Sequence, residues 1–154
     1  MPGYHLAPTD QIALLAVIDP DAYSQATYVS SYVSVVNFRR LMAIVSVGDL
    51  GSSATVDFQV MQATTTGAAP ASATTISGAA TTQFTQAGTD SNKQAIVNLD
   101  VTALDLDNGF DCAAIRMIVG TATSDAAAYL FGLDPIYGGA SDSDVATVDE
   151  IVTL

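Results

Sequence analysis

Period-two alternation from Ser52 to Gln62 is the feature that most constrains what this chain can fold into. Ala54, Val56, Phe58 and Val60 fall on one side, and Thr55, Asp57 and Gln59 on the other. Such a pattern fits a β-strand with one face on a core and the other in water. Just upstream, Leu41–Val47 is apolar on both sides, and Gly48-Asp-Leu-Gly51 links the two runs. The whole segment predicts a hairpin whose first strand is covered on both faces.

The same kind of signal recurs on either side. Ile12–Ile18 is a compact apolar run that stops at the turn pair Asp19-Pro20; periodicity alone allows a strand or a short helix, and its length and β-branched end favour the strand. Thr27–Val36 alternates, with Val29, Val33 and Val35 on one face and Tyr28, Tyr32 and serines on the other. That Tyr/Ser face reads either as a wet sheet surface or as a contact surface, because Tyr brings large area at low entropy cost. Two weaker strands are expected at Thr75–Ser77 and Thr81–Gln86, and the Ala87–Asn92 turn leads into another at Gln94–Leu99. Phe110–Val119 and Ala127–Leu133 read as a second hairpin, with Ile115, Met117 and Val119 facing the core together with Val56, Phe58 and Val60. About eight short strands at this spacing predict an all-β, single-domain antiparallel sandwich of jelly-roll type.

Beyond the strands, the chain divides into three parts. Residues 1–10, with two prolines and a glycine, form an N-terminal arm, 11–137 the sandwich, and 138–154 an acidic and apolar C-terminal arm. In the last, Val145, Val148, Ile151, Val152 and Leu154 punctuate Asp142, Asp144, Asp149 and Glu150. A purely solvated tail has no use for those side chains, so the arm packs either on its own domain or on a neighbour. Docking on a neighbour is the expectation. Arg39 and Arg40 supply cations for such acidic segments.

Composition narrows the chemistry. Charged residues are only 13%, against roughly 25% in an ordinary soluble domain. That suggests a surface covered by other protein, or one whose polarity comes from Thr, Ser, Gln and Asn. The net charge of −12 carries four scattered basic residues, which offers no footprint for nucleic acid. No apolar run approaches the ~20 residues of a membrane helix, so no membrane partner is expected. One His, in the N-terminal arm, and one Cys exclude His/Cys metal centres and leave no nucleophile–base pair. Cys112, inside an apolar strand, reads as a buried structural thiol. Asp105-Leu-Asp-Asn-Gly-Phe-Asp111 misses the EF-hand spacing at two positions and reads as an Asp-rich turn, with a β-type calcium site left open. The expectation is a protein without catalytic residues or cofactors.

Several runs resemble one family. Asn37-Phe-Arg-Arg-Leu-Met-Ala-Ile-Val-Ser-Val-Gly-Asp-Leu-Gly-Ser-Ser-Ala-Thr-Val-Asp-Phe-Gln-Val-Met-Gln-Ala63 is similar to small head-region virion proteins of tailed phages and prophages. Ala80–Ala87, Asp90–Leu99, Gly132-Leu-Asp-Pro-Ile-Tyr137 and the acidic end with Val148-Asp-Glu-Ile-Val152 fit the same pattern. The resemblance implies a capsid decoration or cement protein, assembled in the bacterial cytoplasm and resident on the outer shell. The partners it implies are the major capsid protein and further copies of the chain, with a trimer as the expected state. A head–tail connector or tail component is the alternative within the virion. A carbohydrate-binding sandwich that uses Tyr28 and Tyr32 as a sugar platform is the alternative outside it. The expected interface residues are Tyr28, Tyr32, Arg39, Arg40, Val145, Val148, Ile151, Val152 and Leu154.

Overall fold

Alternating side chains become ten strands in the computed structural model, which describes residues 7–153. Expectations that concern Met1–Leu6, His5 among them, and Leu154 lie outside the described residues. The strands are β1 (Ile12–Tyr23), β2 (Ala26–Val29), β3 (Val33–Ser34), β4 (Phe38–Leu50) and β5 (Thr55–Ala63). They continue with β6 (Thr74–Ala80), β7 (Phe84–Thr85), β8 (Gln94–Asp100), β9 (Cys112–Gly120) and β10 (Ser124–Pro135). One sheet runs β1-β10-β4-β8; the other runs β2-β9-β5-β6, with β3 also on β9 and β7 also on β5. Every pairing is antiparallel.

If β2/β3 and β6/β7 are each counted as one interrupted strand, eight strands lie in the orders 1-8-3-6 and 2-7-4-5. Successive strands mostly change sheets, which is the double Greek key of a jelly roll. The chain is therefore an all-β antiparallel sandwich, as its alternation predicts. Phe38, Leu41, Phe58, Ile115, Met117 and Leu130 fill the space between the sheets, each at most 2% exposed. The six positions expected in the core, Val56, Phe58, Val60, Ile115, Met117 and Val119, are all buried. A second, smaller cluster of Tyr32, Met61, Ala63, Cys112 and Ala114 is separate from this core.

Both expected hairpins are absent. β4 and β5 lie in opposite sheets, as do β9 and β10, and among the described residues only β5 and β6 are consecutive strands that pair directly. The physical reason is that a hairpin and a crossover between sheets use the same period and the same turn residues. They differ only in whether the two buried faces lie side by side or look at each other across the core. At the β4–β5 corner the Gly51 N–H donates to Thr123 O at 3.0 Å. A Cβ on Gly51 would collide with that oxygen, so this backbone approach requires glycine.

Two boundaries also differ. β1 runs through Asp19-Pro20 instead of stopping there, because it is an edge strand that needs no N–H at Pro20 and carries a register shift between Ile18 and Asp21. Thr27–Val36 is not one alternating strand: pairing breaks between Val29 and Val33, where the Ser30 N–H donates to Ile115 O and its hydroxyl accepts from the Ile115 N–H. That break reverses which side chains face inward.

Candidate assembly face

Three apolar runs, Ile12–Ile18, Leu41–Val47 and Ala127–Leu133, become neighbouring strands β1, β4 and β10 of one sheet. Their inward residues build the core; their outward residues line up in rows. Leu14, Phe131 and Met42 pair across the strands and end at Asn98, while Val17, Tyr129 and Ile44 form the next row and end at Ile96. A third row is Ile12, Leu133, Arg40 and Asp100. Leu14, Val17, Met42, Ile44, Tyr129, Phe131 and Leu133 are half-buried, whereas Ile12 and Ile96 are exposed at 38% and 57%. The Tyr129 and Phe131 rings lie 6.5 Å apart, within the range of a favourable aromatic pair. An antiparallel sheet with one wet face ordinarily carries polar residues there. The expected cover on both faces of Leu41–Val47 is not met among the described residues: they close over its inner side and leave Met42 and Ile44 half-buried on the outer one.

Along the outer edge of β1 lies the C-terminal segment. The Leu14 N–H donates to Asp144 Oδ1 at 2.7 Å, and the Val145 N–H donates to Leu14 O at 2.7 Å. Val148, Ile151 and Val152 then border a groove with Ile12, Leu14 and Phe131. Ile151 and Val152 are nevertheless 46% and 71% exposed. The segment thus enlarges the apolar face from its own side of the sheet.

The other expected contact residues scatter. Tyr32 is buried, with its backbone hydrogen-bonded to Gly67 in both directions at 2.7 and 3.0 Å. Tyr28 points inward, half-buried, its ring 4.4 Å from that of Tyr23, and its hydroxyl donates to Ser24 O. Neither forms an open platform, so the stacked-sugar arrangement has no surface to use. Burial, then the Arg116 cation acting the other way, leaves the Tyr32 hydroxyl pKa raised. Arg40 sits on the third row and is held by Asp134 in an exposed ion pair. Arg39 is exposed near Val36, Leu106 and Ile136 and makes no ion pair among the described residues. The Cys112 thiol is buried and pushed up to about 11, first by desolvation and then by the Asp111 carboxylate at 3.2 Å. It stays protonated and unreactive at neutral pH. The Asp105 carboxylate accepts from Asn108 Nδ2 at both of its oxygens, each at 2.9 Å, and among the described residues no three His, Cys, Asp or Glu gather as metal ligands.

Fold and surface together define a jelly-roll β-sandwich with one apolar outer sheet face. No protein-family model matches the chain, and no curated protein matches it. Among solved structures, a chain of tobacco necrosis virus is similar at 16% identity and a TM-score of 0.36, over 82% of this chain and 95% of that one. The coat protein of tobacco streak virus is similar at 13% identity and a TM-score of 0.40, over 97% of this chain and 99% of that one. Likeness of this degree assigns neither a family nor a role.

Proposed function

We propose that this chain is a non-catalytic structural protein of a virion, a decoration or cement protein that clamps the outer capsid shell through the apolar face of the β1-β10-β4-β8 sheet. The observation that carries the reading is that face. Nine apolar side chains in three cross-strand rows stand on the outside of a sheet, with a C-terminal segment adding Val148, Ile151 and Val152 beside them. Contiguous exposed apolar patches on small proteins mark binding surfaces. A jelly roll hosts many activities, so the fold by itself selects none of them. The resemblance of Asn37–Ala63 and Gly132–Tyr137 to phage head-region proteins supplies the shell as partner.

Copy number in purified particles, measured by quantitative mass spectrometry against the major capsid protein, tests the proposal. Hundreds of copies per particle support decoration. A dozen or fewer would place the chain at a connector or in the tail instead, and its absence from particles would end the virion reading.

A further inference from the structure

The apolar face is small. Four strands about 4.8 Å apart and five residues of rise at about 3.3 Å give an area on the order of 300 Å². A stable protein interface takes about 800 Å² from each partner, so a partner must also rest on the rim.

That rim is acidic. Asp21 and Asp125 border one end, beside Ser46 and Gly48. Asp144 and Glu150 line the groove along β1. Asp100 and Asp134 flank the opposite end, where Arg40, the one cation in the rows, is already held by Asp134. A second copy laid face to face on this sheet would set such acids against one another, in a chain of net charge −12. The same charge repels nucleic acid and anionic lipid. Like charges across an interface reject a partner, and opposite charges steer one in.

Resting on the proposed role of this face, we infer that its occupant is a different protein whose docking surface is apolar at the centre and rich in Lys and Arg at its edge. The acidic rim keeps copies of the chain from closing on each other through this sheet. Any homo-oligomer then uses other edges of the sandwich and leaves the face open.

Two measurements test this. The first uses the isolated chain in sedimentation equilibrium at low and high salt. The wild type should not associate through this face at low salt, so Ile44→Glu should leave its state unchanged. Asp21→Asn, Asp125→Asn and Glu150→Asn combined should promote a face-to-face dimer that Ile44→Glu abolishes. A wild-type dimer that Ile44→Glu dissolves overturns the inference, and so does a neutralised variant that stays as dispersed as the wild type. The second measures occupancy on particle shells stripped of the chain and re-incubated with variants. Asp125→Lys with Glu150→Lys should lose tenfold or more in apparent affinity. Asp107→Lys, in the Leu106–Asn108 turn outside this sheet, should bind like wild type. Equal loss by both variants, or loss by neither, overturns the charge assignment while leaving decoration intact. Shells that bind no wild-type chain sink the decoration proposal instead, and the sedimentation result still decides the rim.

Discussion

At Phe58 a single side chain holds the middle of the sandwich: it is 1% exposed, on a strand flanked on both sides by pairing partners. Phe58→Ala should cost about 3–5 kcal/mol through the cavity it leaves, read from the midpoint of chemical denaturation. Gly132 makes a subtler demand. A Cβ there would lie 2.7–2.8 Å from ring atoms of Phe38, which is itself buried at 2% exposure and has little room to retreat. Gly132→Ala should destabilise by about 1–3 kcal/mol, and a second change, Phe38→Leu, should recover part of the loss. Asp90, half-buried, shows how an acid outside the core acts. Its carboxylate accepts from Lys93 Nζ at 2.8 Å and from the Thr85 N–H at 2.9 Å, and these contacts hold its pKa below the ordinary 3.8. Because the folded pKa lies below the unfolded one, its stabilising contribution is present above pH 3.8 and fades as pH falls through the folded value. Thermal melting should therefore fall off in acid below about pH 4, and less steeply in Asp90→Asn. An unchanged acid slope in that variant would remove Asp90 from the account.

Elements were readable where the pattern is local and obscure where it depends on partners. Strand identity followed from alternation, so β5, β8, β9 and β10 lie close to their expected places, and the inward set of β5 and β9 is the expected one. Connectivity did not follow, because Gly48–Gly51 and Gly120–Asp125 look alike whether the chain folds back or crosses the core. The assembly face was half legible: Leu41–Val47 announces two apolar sides, yet only the order β1-β10-β4 shows that three such strands stand together. Tyr28 and Tyr32 misled because Ser30 interrupts the pairing and resets the alternation. The C-terminal segment can be dissected at the same scale. Its anchor is the pair of hydrogen bonds between the Leu14 backbone and Asp144–Val145, and the residues after Val148 are exposed as far as Thr153. Removing residues 149–154 should leave the melting temperature nearly unchanged. Removing residues 142–154 should cost about 1–3 kcal/mol, since each net hydrogen bond is worth about 1 kcal/mol. If both truncations melt alike, the anchor contributes nothing.

Over the whole molecule, sequence and space are poorly aligned. Ile12 pairs with Leu133 and Tyr23 with Ser124, so the first strand cannot find its partner until the last is made. β4 lies between β10 and β8, and β9 between β2 and β5. Loop-closure entropy must be met before such contacts return anything, which makes sandwiches of this kind slow folders, in milliseconds to seconds. One exception stands out in the topology: β5 and β6 are consecutive and adjacent, joined by the small-residue loop 64–73. Closing that loop costs the least, so β5–β6 with β9 laid against β5 should form the folding nucleus, and β1 should dock late. Conservative core truncations give this a kinetic reading. Val60→Ala and Ile76→Val should mainly slow refolding, whereas Leu15→Ala and Leu130→Ala in the β1–β10 pair should mainly speed unfolding. All four residues are buried, at 6% exposure or less, so each change should register in stability. Stopped-flow chevrons that show the reverse partition, with Leu15 and Leu130 slowing refolding most, would put the nucleus in the sheet that carries the assembly face.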